Sequence, residues 1–223
     1  AFGSELAVIL RHGIHEMFVN NKNCFYYITV MNENYTHPAI PEDKEGDVIR
    51  GMYLFRSAKK PQVRLLGSGS IMNEVIQARD LLQDFKIDAE IWSVTSFNLL
   101  RKDGMETDRK NLLNPSDEPR SAFVEEKFID NPLPVVAATD YVRAYAEQIR
   151  PWVKNQYLTL GTDGYGRRDS REKLREFFEV NAASVAKSAV FGLYKEGSLS
   201  KAELENIYKK LGNDSSKPNP WEV

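Results

Sequence analysis

Apolar residues recur along this chain at two different spacings, and the two alternate. Over residues 4–19, Leu6, Ile9, Leu10, Ile14, Met17 and Phe18 return every three or four positions, which places them on one face of a helix. Residues 25–31 form an unbroken aromatic and β-branched run and read as a buried strand. The pattern then turns polar over 32–47, where Tyr35, Ala39 and Ile40 are the apolar anchors and prolines stand at 38 and 41. Proline and the residue before it avoid the helical region, so this stretch reads as an extended linker. Its change of composition marks the best domain boundary.

Beyond the linker, strand and helix signals take turns. Short apolar runs at 51–56, 63–66, 89–94, 135–138 and 157–160 read as strands. Ile71, Val75, Ala78, Leu82 and Phe85 form a 3.6-residue stripe. Further helices are expected over 141–150, closed by Pro151, and over 170–178, 182–195 and 201–211. Residues 98–130 break the rhythm and are expected to hold short helices and loops, with turns near Asn114-Pro115 and Glu118-Pro119. Repeated strand–helix alternation predicts an α/β fold, a mainly parallel, mixed sheet with helices on both faces. Asp169 with Glu172 and Ser200 with Glu203 have capping-box spacing, Leu199 and Leu204 that of a hydrophobic staple, and Gly212 is placed to close the last helix in the left-handed conformation.

Composition narrows the function classes. At 223 residues, 42% of them hydrophobic, the chain suits one large or two small domains. A formal net charge of −2 without a long basic block argues against nucleic acid as a partner. Cys24 is the single cysteine, so no internal disulfide and no cysteine-based metal site are expected, and a reducing, cytoplasmic setting is the default. No apolar run reaches the roughly 18 residues that span a bilayer. The chain lacks an initiator Met and enters its amphipathic pattern almost at once, which suggests a segment of a longer polypeptide.

Candidate chemistry is sparse. The polar cluster Asn32-Glu33-Asn34-Tyr35-Thr36-His37-Pro38 follows an apolar run, where α/β proteins place reactive groups. His37 could move protons near neutral pH, or the segment could be a solvated linker. His12 and His15 lie three apart on a helix without a carboxylate or cysteine partner, a poor metal pair. Gly67-Ser68-Gly69-Ser70 could hold an anion at a helix start, but the dinucleotide fingerprint needs a third glycine where Met72 stands. A plain tight strand-to-helix turn is the better account. Gly161-Thr162-Asp163-Gly164-Tyr165-Gly166 leads into arginines at 167, 168, 171 and 175. These could clamp an anion or interlace with Asp163, Asp169, Glu172 and Glu176 in an ion network. No G-x-S-x-G, Walker A or H-E-x-x-H motif occurs.

Several of these stretches together resemble the homodimeric pyruvate dehydrogenase E1 component. They are Tyr26-Tyr27-Ile28-Thr29 through Asn32-Glu33-Asn34-Tyr35, Pro38-Ala39-Ile40-Pro41-Glu42, Leu65-Leu66-Gly67-Ser68-Gly69-Ser70, Trp92-Ser93-Val94-Thr95-Ser96-Phe97, Ala138-Thr139-Asp140-Tyr141, and the glycine loop through Phe177-Phe178-Glu179-Val180. The resemblance implies the C-terminal part of that enzyme: residues 1–42 as the tail of its pyrimidine-binding domain and linker, and 43–223 as its transketolase-like C-terminal domain. It implies that the full enzyme uses thiamine diphosphate with Mg²⁺ to decarboxylate pyruvate in the bacterial cytoplasm and to acetylate the lipoyl group of an E2 partner. It also implies a homodimer with active sites between subunits. This segment would bind neither cofactor nor metal alone and would act mainly as a structural, dimer-forming part. The family often carries an active-site histidine directly after the Asn-Glu-Asn-Tyr run; here that position is Thr36, and His37 follows it. His37 is the expected catalytic contributor, with Glu33, Asn34, Tyr35 and Thr36 forming the substrate-site wall. Rival readings are a dimerisation or docking module without an active-site role, and a nucleotide-binding regulatory domain using Gly67 and Gly69.

Overall fold

A computed structural model describes residues 1–116 and 118–223. Helix α1 (Gly3–Ile14) runs into a π turn (His15–Val19), and an irregular segment leads to α2 (Glu45–Arg50). The body then builds β1 (Met52–Arg56), β2 (Val63–Gly67), α3 (Met72–Gln83), β3 (Ala89–Val94), α4 (Phe97–Leu113), α5 (Phe123–Phe128), β4 (Val135–Ala138), α6 (Ala144–Glu147) and β5 (Tyr157–Leu160). Helices α7 (Arg171–Phe177), α8 (Ala182–Lys195) and α9 (Lys201–Lys210) complete it.

Among the described residues, five strands lie in the order β1-β3-β2-β4-β5. β1 pairs antiparallel with β3, and the other three pairings are parallel. The mixed, mainly parallel sheet read from the alternation is therefore present. Side chains alternate across a strand, and the two faces sort accordingly. Val63, Leu65, Ala89, Ile91, Val136 and Ala138 pack under α3, α8 and α9. Leu66, Trp92, Val94, Val135, Ala137 and Tyr157 pack against α4, α5 and α6 on the other face. Arg64 also turns toward this second face, where it is buried. Its Nε donates to Glu90 Oε1 at 2.5 Å, Trp92 Nε1 donates to the same oxygen at 2.9 Å, and its guanidinium lies over the Phe128 ring.

The structure corrects four expectations. Residues 25–31 form no strand and lie across the surface, with Phe25 88% and Tyr27 87% exposed. A strand needs a neighbour for its amides, and none of the five strands borders this run. Much of the 98–130 region is one long helix, the 17-residue α4; of the expected short helices and loops, the short α5 and the break at Asn114 are present. Helix α4 buries only Phe97, Leu100 and Gly104, too few for a readable stripe. Gly104 is small because Trp152 lies against it; a Cβ there would fall 2.3 Å from the indole. Residues 141–150 contribute only the single-turn α6, and Pro151 sits in a separate 3₁₀ turn. The cap of α7 is Ser170, whose Oγ accepts from Lys173 N, so the Asp169–Glu172 box does not form. The box at Ser200 and Glu203 does form, Leu199 and Leu204 join one core cluster, and Gly212 sits at φ +69°.

Candidate functional site

Chain connections diverge between β2 and β4, because β2 is followed on one side by β3 while β4 pairs on its other side. In doubly wound sheets ligands gather outside the carboxyl ends of strands at such a point. Here that crevice is occupied by the protein's own groups. Ser68 Oγ, after β2, donates to Thr139 Oγ1, after β4, at 2.9 Å. Above them Arg175 of α7 reaches in. Its Nη2 donates to Glu33 Oε2 at 2.5 Å and to Ser70 Oγ at 3.2 Å, and its Nη1 lies 3.1 Å from both Glu33 Oε1 and Glu74 Oε1. Glu74 in turn accepts from the backbone N–H of Ala182, at the start of α8, at 2.9 Å. Arg171, one turn before Arg175, donates to Asn32 Oδ1 at 2.6 Å. Asp140 belongs to the same group. Burial pushes its carboxyl above the usual carboxylate range and Glu33 adds to this, while Arg175 and Arg171 oppose it.

The polar segment 32–38 is thus pinned, and its contacts alternate. Glu33 is held by Arg175. The Tyr35 hydroxyl donates to the Ala1 carbonyl at 2.6 Å, and its ring lies edge-on to Phe2. His37 Nδ1 accepts from the Gly3 backbone N–H at 2.9 Å, with its ring 4.8 Å from that of Tyr35. Between these anchors Asn34 and Thr36 are exposed. Period-two alternation of this kind is what an extended backbone produces. The structure therefore separates the five residues singled out from sequence: Glu33 and Tyr35 turn into this chain's own body, Asn34 and Thr36 face outward, and His37 is exposed while its Nδ1 is held by Gly3. With Nδ1 accepting, neutral His37 carries its proton on Nε2.

Sequence reasoning missed Arg175, Glu74 and Asp140 as one group. Their spacing in sequence gives no hint, since Glu33 and Arg175 are 142 positions apart. The arginines do form an ion network, but with other partners than those expected. Arg171 and Arg175 reach Glu33 and Glu74, Arg167 lies over the Phe177 ring, and Asp163 pairs with Arg143.

The glycine motifs have structural reasons. A Cβ at Gly67 would meet Met72 Sδ at 2.9 Å, and one at Gly161 would meet the Arg143 backbone nitrogen at 2.5 Å. Gly164 takes φ +100° under Pro220 and Trp221 of the C-terminal tail. Glu90, the acid nearest to a ribose-binding position, is tied to Arg64 and Trp92.

One further acid fixes the arm to the body. Glu5 is 1% exposed. It accepts from Phe2 N at 2.9 Å, Tyr53 Oη at 2.9 Å and Ser93 Oγ at 2.5 Å. A buried carboxylate is tolerated when donors surround it, and this one ties α1 to β1 and β3. Burial and the neighbouring Glu5 charge push the Tyr53 phenol well above its ordinary range.

Among the described residues no three His, Cys, Asp or Glu side chains converge to hold a metal ion. Asp163, in the one Thr-Asp-Gly run, already accepts from the Arg143 backbone at 2.8 Å. The residues present thus do not fit a diphosphate–metal site. No helix among the described residues is long and apolar enough to cross a membrane.

The family comparisons agree with the architecture. Residues 51–181 match the transketolase-like C-terminal domain, and residues 1–38 match the pyruvate dehydrogenase E1 component middle domain. A pyruvate dehydrogenase E1 component of Cupriavidus necator is 45% identical over 100% of this chain and 25% of its own length. One from Pseudomonas aeruginosa is 47% identical over 98% of this chain and 25% of its own length. A solved transketolase from Pichia stipitis aligns over 72% of this chain and 21% of its own, with 16% identity and a TM-score of 0.49. The chain spans about a quarter of the length of the curated relatives it matches. It belongs to the transketolase-like C-terminal domain family, and the resemblance to pyruvate dehydrogenase E1 components read from its motifs holds over its whole length.

Proposed function

We propose that this chain is the C-terminal part of a pyruvate dehydrogenase E1 component. The complete polypeptide decarboxylates pyruvate with thiamine diphosphate and Mg²⁺ and passes the acetyl group to the lipoyl group of an E2 partner. Both cofactor and metal are held by residues outside this chain, in a cytoplasmic homodimer. The observation that carries the reading is continuity: 45–47% identity over 98–100% of the chain to proteins of that name, with a middle-domain match running into a C-terminal-domain match.

Residues 1–42 are the tail of a middle domain and 43–223 the C-terminal domain. The exposed Phe25, Tyr27 and Val30 support this division, because an apolar run of strand composition is unpaired here and would be covered by the remainder of that domain. This chain contributes a structural, dimer-forming body and one wall of the substrate site. Asn34 and Thr36 point outward for that purpose, and Glu33 and Tyr35 hold the wall from behind. His37 joins as a donor through Nε2, since its Nδ1 already accepts from Gly3.

The test compares the complete polypeptide with this chain alone in acetyl transfer from pyruvate with both cofactors supplied. Turnover is expected only from the complete polypeptide; turnover by the chain alone overturns the assignment. A second reading, a docking or dimerisation module without a role at the active site, is favoured by the turning of Glu33 and Tyr35 toward the chain's own body. Thr36→Ala and His37→Ala with unchanged kinetics would select it.

A further inference from the structure

We propose that Arg175 is a positioning residue that sets the wall segment from the C-terminal body. The inference rests on the reading above for its kinetic consequence and on geometry alone for its structural one. The chain of contacts is continuous. The N–H of Ala182 at the start of α8 holds Glu74, Glu74 and Ser70 hold Arg175, and Arg175 holds both oxygens of Glu33. A guanidinium gripping a carboxylate at both oxygens fixes direction as well as distance. The Arg175 and Glu33 side chains are 11% and 19% exposed, so the grip is little weakened by water. Arg171 adds a second hold one residue earlier, on the carbonyl and side chain of Asn32.

Glu33 is one of three anchors, and the outward residues lie between anchors. Asn34 is flanked by Glu33 and Tyr35, and Thr36 by Tyr35 and His37. Tyr35 and His37 are anchored to Ala1, Phe2 and Gly3, within the same arm. Together with Asn32, held by Arg171, Glu33 therefore references the wall to α7 and α3 of the C-terminal body, at the crevice between β2 and β4. Loss of that reference leaves the arm folded but its outward face free to shift. Small displacements of positioning groups carry large kinetic penalties.

The substitutions are chosen so that the fold survives. Glu33→Gln leaves Arg175 paired with Glu74. Arg175→Lys keeps the charge that balances Glu74 and Asp140 but loses the two-pronged hold. In the complete polypeptide, each is expected to lower kcat/KM for pyruvate about tenfold, chiefly through KM. The double variant should be no worse than either single one, because both remove the same contact. Amide hydrogen exchange is measured on the same proteins. Residues 33–36 should exchange faster in both variants while β3 is unchanged.

Unchanged exchange at 33–36 overturns the clamp, and so does faster exchange with kinetics equal to the parent. Additive losses in the double variant, or faster exchange in β3 as well, identify a general stability role and also overturn it. If the parent polypeptide does not turn over pyruvate, the functional reading fails instead, and the exchange arm still decides whether Arg175 holds the wall.

Discussion

Two apolar stretches of this chain have nearly the same character and opposite fates. Residues 89–94, Ala-Glu-Ile-Trp-Ser-Val, form the fully buried β3, flanked by β1 on one edge and β2 on the other. Residues 25–31, Phe-Tyr-Tyr-Ile-Thr-Val-Met, are the richer in β-branched and aromatic side chains, yet they form no strand, and Phe25, Tyr27 and Val30 stand in solvent. Strand preference describes fit to a half-buried pleated surface rather than an intrinsic backbone bias. β3 has such a surface on both edges and both faces. The 25–31 run has neither.

The comparison breaks first at the core. Leu65, fully buried in β2 under α3 and α8, should lose about 2–5 kcal/mol on truncation to alanine, read as a fall in urea midpoint at constant slope. Tyr27→Ser in the same chain should stay within about 0.5 kcal/mol of the parent, as surface changes do. Equal losses would show that the arm is packed like the body. Next comes Gly104→Ala. Trp152 is held in place by donation to Asp108 at 3.0 Å, so the added methyl forces the ring or α4 to move, at about 1–3 kcal/mol. A neutral or stabilising result would contradict the close packing of Trp152 on α4.

A smaller effect probes the junction between arm and body. The Asp140 carboxyl is raised by burial and then by Glu33, so the folded state holds its proton more tightly than the unfolded chain does. Its contribution to stability is complete below about pH 4, the ordinary aspartate value. It is lost as pH rises through the raised value. Asp140→Asn should therefore stabilise the protein at neutral pH, with the gain vanishing toward acid. A gain independent of pH, or none, would show that Asp140 is not electrostatically penalised.

Much of the body was legible in sequence because each of its signals is local. Short apolar runs gave the five strands, the Ile71-to-Phe85 stripe gave α3, and Ser200 with Glu203 gave the start of α9. The failures occurred where distant contacts override local pattern. α4 turns much of its length to solvent and admits a glycine for Trp152, which lies 48 positions on. The α7 start shifted by one residue because Ser170 caps it in place of Asp169. In the candidate site, the polar run 32–38 could be found from composition. Which of its residues face outward could not, since that depends on Arg175 and Gly3, both far from it in sequence. Arg175, Glu74 and Asp140 lie on three separate elements joined only by the fold.

The central claim is that residues 1–42 belong to a domain completed by other parts of a longer polypeptide, with the wall at 33–36 facing into it. Amide hydrogen exchange over residues 25–31, in this chain and in the complete polypeptide, tests it most directly. The account predicts near-unprotected amides in the chain alone and protection comparable to that of β3 in the complete polypeptide, on the order of a thousandfold or more for amides that open only with the fold. Equal, weak protection in both would contradict it.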